Sequence, residues 1–173
     1  WDKLNLLARA CGEANLYRDK DFNDMLLELS VGPELMLGRT RLGVEAAVGQ
    51  QGFGMETHRG SLRLSRSATR PIDAVSQLRL DVGGRWIDNR TNDLEDGRGL
   101  SLRARYERAL SPQMLVAASV GADRFKARHN AYSTRAWTAG LTAYRQVGRM
   151  TLSLGAEVGR LKADDRLALL PEA

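Results

Sequence analysis

The chain of 173 residues carries 26 Lys and Arg against 21 Asp and Glu, a formal net charge of +5, with 43% hydrophobic residues and a mean hydropathy of −0.37. No apolar run approaches the ~18 residues of a membrane-spanning helix, which excludes a helical membrane protein but not a spanning β-barrel, whose outward and inward residues alternate and average out. The cations are interspersed with acids rather than gathered in a run, against a nucleic-acid footprint, and the single Cys11 excludes an internal disulfide or a multi-cysteine zinc site.

In chain order, the first predicted strand is Leu4–Tyr17, with Leu4, Leu6, Ala8, Ala10, Gly12, Ala14 and Leu16 on one face. Apolar/polar alternation with period two is the strand signature. After a polar connection, Met25–Leu37 sets Leu27, Leu29, Val31, Leu35 and Leu37 against Glu28, Ser30, Gly32 and Glu34. Pro33 cannot donate to a ladder, so a bulge or break is expected there. A turn at Gly38-Arg39-Thr40 leads to a strand Arg41–Gly49, then a longer loop Gln50–Arg59 and a strand Gly60–Ala68. A turn at Thr69–Asp73 precedes Ala74–Ile87, and the polar loop Asp88–Arg98 precedes Gly99–Leu110. Ser111-Pro112-Gln113 turns into Met114–Phe125, which is apolar on both faces at Leu115–Ala118.

The clearest stretch is Tyr132–Arg160. Trp137, Ala139, Leu141 and Ala143 alternate with Thr138, Gly140, Thr142 and Tyr144. Beyond a short turn at Arg145–Arg149, Leu152, Leu154, Ala156 and Val158 alternate with Thr151, Ser153, Gly155 and Glu157. This is a hairpin with runs longer than the ~5–6 residues of soluble strands and closer to the ~9–11 of tilted membrane-spanning ones. The tail Leu161–Ala173 reads mostly as loop.

Loops one, three, five and seven are long and polar, and the others are tight. Outer-membrane barrels share this asymmetry, which puts the N-terminus at the periplasmic end. The predicted fold is all-β, an antiparallel up-and-down meander of about nine strands forming part of a transmembrane barrel. Single-chain bacterial barrels have an even strand number, so the chain, which opens at Trp1 without an initiator Met, reads as a fragment whose strands continue past Ala173. Aromatic content of 6% is low for full aromatic girdles.

No phosphate loop, nucleophile elbow or zinc motif occurs. His58 and His129 fall in predicted long loops without a second ligand at metal spacing. Asn92–Gly97 is acidic but fails the EF-hand pattern, with Leu94 where a ligand belongs. Asp164-Asp165 has no His or Lys partner in the sequence, and Cys11 reads as a small filler. The protein is expected not to be an enzyme and to need no cofactor or metal.

The polar strand faces carry the constellation that remains: Arg9, Glu13, Glu28, Glu34, Glu45, Arg63, Arg79, Asp81, Arg85, Arg103, Arg105, Glu107 and Glu157. In a barrel these residues line the lumen, and Arg79, Arg103 and Arg105 form a basic strip attractive to acidic substrates or protein segments. On a soluble sandwich they would be ordinary surface charges.

Tyr17-Arg18 before Phe22-Asn23-Asp24, Gly32-Pro33, Leu110-Ser111-Pro112, Tyr132-Ser133 and Tyr144-Arg145 together resemble the C-terminal barrel of the surface lipoprotein assembly modifier (Slam) family. The resemblance covers nearly the whole chain. It implies a barrel in the outer membrane of a Gram-negative bacterium, in contact with its lipids, with periplasmic tetratricopeptide repeats upstream and surface lipoproteins as cargo. Nucleic acid is not expected as a partner. The alternatives are a passive porin-like or an adhesive, structural barrel, and last a soluble sandwich.

Overall fold

A computed structural model describes residues 4–19, 21, 23–53 and 56–165. Nine strands run β1 (Leu4–Asn15), β2 (Asp24–Leu37), β3 (Thr40–Phe53), β4 (Glu56–Pro71), β5 (Ser76–Asn89), β6 (Gly97–Ser111), β7 (Met114–Ala127), β8 (Thr134–Val147) and β9 (Met150–Ala163). They form one sheet in chain order, each strand antiparallel to the next, with β1 and β9 as open edges. The expected all-β meander of nine strands is therefore what folds, and the sheet is not closed. A two-sheet sandwich is not formed, since all nine strands of the described residues share this single sheet.

Turn chemistry sets the hairpins. Gly38 and Gly148 open two-residue turns with φ of 60° and 61°, a left-handed conformation that a Cβ would strain. At Ile72–Val75 the Val75 N–H donates to Asp73 Oδ1 at 2.8 Å and the Ile72 N–H to the Ser76 carbonyl at 2.9 Å. Pro112 and Gln113 turn β6 into β7 beside a register shift between Ala109 and Ser111.

Several boundaries differ from the sequence reading. The expected loop Gln50–Arg59 is strand on both sides: β3 continues to Phe53 and β4 starts at Glu56, with a register shift at Gln51/Gly52. His58 thus lies in β4 rather than a loop. Connection three is therefore a projecting hairpin, while connections one, five and seven remain long. Pro71 ends β4 instead of sitting in the turn, and β9 runs through Ala163, where the tail was expected to be loop. Trp1, Phe22 and the segment 166–173 lie outside the described residues.

Of the bulge or break expected at Pro33, the break is what forms. Pairing to β3 skips Gly32 and Pro33 and resumes at Glu34↔Gly43 in the register of Val31↔Ala46. Pro33 has no N–H to offer, and a Cβ on Gly32 would collide with the Val44 carbonyl, so the strands close up instead of bulging.

The strands slide steadily past one another. One row of Cα partners passes from Arg9 through Ser30, Ala47, Arg63, Arg85, Gly99, Phe125 and Thr134 to Ala163, from mid-β1 to the last residue of β9. Strand midpoints drift by about six to seven residues over that row, ~21 Å along the strands against ~38 Å across them, a tilt of about 30° at standard spacings.

The two faces are chemically opposite and there is no conventional core. Among the described residues the buried hydrophobics are Ala47, Ile87, Ala117, Ala127 and Ala131. Most of the large aliphatics stand on the other side of the pleat in the open, Leu154 at 80% exposure and Leu100 at 69%. At the long-loop end, loops five and seven are tied together: the Arg128 N–H donates to the Asp96 carbonyl at 2.7 Å and the His129 N–H to the Leu94 carbonyl at 3.0 Å.

Candidate functional site

The pairing register places Arg9, Glu13, Glu28, Glu45, Arg63, Arg79, Asp81, Arg103, Arg105, Glu107 and Glu157 on one face of the sheet. That face encloses an open trough of about 1120 Å³ lined from β2 to β9. Arg63, Arg79, Asp81, Arg103, Arg105, Glu107 and Glu157 line it, together with Arg85 and Asp123. Arg9, Glu13, Glu28 and Glu45, on β1–β3, share the face but do not line the trough.

The floor is low because its residues are small. Ser101, Ser119, Gly121, Thr138, Gly140, Thr142 and Gly155 all contribute to the lining. Longer side chains rise around them and pair. Arg79 holds Asp81 on its own strand through Nε and Nη2, at 2.9 and 2.8 Å, and Arg105 holds Glu107 at 2.6 Å. Gln77 Nε2 also donates to Glu107 at 2.5 Å. Residues two apart on a strand share a face, so both ion pairs follow directly from the pleat.

Two further pairs skip a strand. Arg63 Nη2 on β4 reaches Glu28 on β2 at 2.7 Å, crossing β3 at Ala47, and Arg85 Nη2 on β5 reaches Asp123 on β7 at 2.8 Å, crossing β6 at Gly99. The Arg85 guanidinium also lies over the Phe125 ring, 5.3 Å from its centre. Asp123 did not stand out in the sequence. Its signal is its parity with Arg103, Arg105 and Glu107 once the β6–β7 register is known.

The pairing corrects the basic strip. Arg79 and Arg105 are each neutralised by a carboxylate two residues on, because a neighbour on the same strand is nearer than any ligand. Arg103 faces Asp81 across the ladder, yet Asp81 is held by Arg79, so Arg103 forms no ion pair among the described residues. Glu157 is likewise without an ion pair there.

The other sequence candidates have structural occupations. Asn92 caps a 3-10 turn at Asp93–Glu95, Asp96 Oδ1 accepts the Asn89 N–H at 2.7 Å, and Asp93 pairs with Arg128 at 3.6 Å. His58 Nδ1 lies 2.8 Å from Thr91 Oγ1, and His129 Nδ1 caps the 3-10 turn at Asn130–Tyr132. Asp164, read as having no His or Lys partner, pairs with Arg135 of β8 at 3.1 Å. Cys11 is exposed on edge strand β1 and fills no packed space. Among the described residues no three His, Cys, Asp or Glu side chains are placed to hold a metal ion. No protein-family model matches the chain, and no curated protein matches it.

Proposed function

We propose that the nine strands are part of the wall of an outer-membrane β-barrel whose charged inner face assists export or surface display of lipoproteins. The observation that carries the barrel reading is the inverted polarity of the sheet. Its apolar face is the exposed one, and its inward charges from β4 to β9 line the open trough. In water such a sheet would leave Leu6, Leu100 and Leu154 unburied at a cost that lipid removes. Strands of 12 to 16 residues and the tilt of about 30° are near what a spanning barrel needs. Within the apolar middle of the outward face Arg66 departs from the pattern, between Val44 and Val82.

The cargo class comes from the resemblance to the Slam family. The charged trough and long outer loops are compatible with it. Heated and unheated full-length protein in detergent should migrate differently on a gel, and good solubility without detergent and no shift would overturn the barrel. Deleting the full gene and labelling intact cells tests the cargo. Loss of one lipoprotein from the surface at unchanged cellular amount is the expected result. Unchanged display with reduced small-solute uptake would make the barrel a passive porin instead.

A further inference from the structure

The outward face is apolar along its middle and carries cations at both rims, most densely at the long-loop end. On β6–β9, at the long-loop end, six outward positions are cationic: Arg98, Arg124, Lys126, Arg135, Arg160 and Lys162. The register draws them together. Arg98 pairs across with Lys126, Arg124 with Arg135, and Arg135 with Lys162. All six are exposed, and only Arg135 has an ion pair among the described residues, with Asp164. A second hollow of about 410 Å³ is lined by Arg124, Lys126, Arg135 and Lys162 together with Asn130, Ser133 and Asp164, four cations against one carboxylate.

Like charges opposed across a ladder repel, and among the described residues Asp164, paired with Arg135, is the acid beside this cluster, which leaves the cations in surplus. The uncompensated charge therefore fits an external anion. Directly below the rim the same face turns apolar, with Leu100, Leu102, Val120, Trp137 and Val158, and Trp86 and Trp137 stand exposed at the border. Tryptophan at such a border marks the level of lipid headgroups. An occupant of this hollow has anionic groups at the rim and hydrocarbon beneath them.

We infer that this rim binds the headgroup of an outer-leaflet lipid carrying more than one phosphate, with its acyl chains against the apolar band. The inference rests on the membrane reading above. It differs from general membrane contact in being confined to β6–β9, because the β1–β3 outward face carries no comparable cluster: its positions there include Gly12, Ala14, Met25, Leu27 and Gln50. Guanidinium and ammonium groups grip phosphate oxygens by charge-assisted hydrogen bonds.

The test uses detergent-folded full-length protein titrated with diphosphorylated lipid A, the same lipid without phosphates, and inorganic pyrophosphate. Saturable binding of the diphosphorylated lipid is expected, at least about tenfold tighter than either control, since each lost phosphate contact is worth on the order of tenfold. The variant R124Q/K126Q/R135Q/K162Q should lose that preference and keep the heat-dependent gel shift. R70Q/R108Q/R145Q, which strips cations from the opposite rim, should keep it. Should the fourfold variant lose the gel shift, R124Q and K162Q singly are read instead, each expected to weaken binding about threefold. Equal binding of the phosphate-free lipid, equal binding of pyrophosphate, or unchanged binding by the rim variants overturns the inference while the gel shift stands. Absence of the gel shift in the unaltered protein would instead overturn the membrane reading on which it rests.

Discussion

Arg85 reaches Asp123 across an intervening strand, Nη2 to Oδ1 2.8 Å, and does so over a glycine. A Cβ at Gly99 would come within 2.7 Å of the Arg85 Nε and 3.0 Å of its Cγ. The glycine is thus a saddle for the arginine, and the three residues act as a unit. Gly99→Ala and Arg85→Gln should each destabilise the full-length protein, and together by less than the sum. Strict additivity in urea unfolding within lipid would show that the saddle does not hold the arginine.

The companion bridge, Arg63 to Glu28 over Ala47, is 45% and 31% exposed at its two side chains. Solvent screening limits such a pair to ~1 kcal/mol or less. A double-mutant cycle with Arg63→Gln and Glu28→Gln should return that small coupling. Ala47→Leu should cost about 1–3 kcal/mol, because Ala47 is 3% exposed and a larger side chain must displace what crosses it. A coupling several times larger would mean the trough is far drier than its open geometry indicates.

Two glycines should respond differently to a methyl group. Gly32→Ala pushes a Cβ into the Val44 carbonyl and to within 2.8 Å of the Glu45 Cα, all of it backbone that cannot swing aside. Gly38 has open space, so Gly38→Ala costs only its left-handed conformation, about 1–2 kcal/mol. The denaturation midpoint should fall further for Gly32→Ala, and the reverse order would mean that β2 and β3 do not approach so closely.

Sidedness is testable at single positions. Leu141 and Leu154 face outward, and Leu→Arg at either should cost about 2–4 kcal/mol in a bilayer. Arg66→Leu should move stability the other way, since it removes the cation from the apolar face. If Arg66→Leu destabilises the folded barrel in lipid, the arginine has a polar partner that lipid does not provide.

In the trough Arg103 has no ion pair among the described residues and can meet a passing anionic group. Arg103→Glu should impair cargo display in cells without lowering the amount of folded barrel. Arg79→Glu should lower it, by setting a second carboxylate beside Asp81. Normal display with Arg103→Glu would remove this residue from the mechanism and direct attention to the long loops.

The strands were legible because alternation is a one-dimensional signal, and so the charged residues read on one face share it, although Arg9, Glu13, Glu28 and Glu45 stand outside the trough. The ends of β3 and β4 were not legible, since Gln50, Gln51 and Gly52 have loop composition and are held as strand only by their partners Gly60, Arg59 and Thr57. The strand-skipping bridges were hidden for a related reason. They depend on which small residue lies beneath, and that is a matter of register. The outward basic rim was missed because its members are scattered from Arg98 to Lys162, and only the tilt brings them to one level.

Every strand here pairs only with its neighbours in the chain. The sheet can therefore grow by zippering, each finished hairpin serving as the template for the next strand, without any distant search. Throughout such growth two rows of backbone N–H and C=O groups stay unpaired, first at one strand and then at the next. Joining β1 to any later strand would close a loop of almost the whole chain, the one step with a large entropic cost. Whatever shields the edges in a cell has to act during the entire assembly, moving along with the advancing strand.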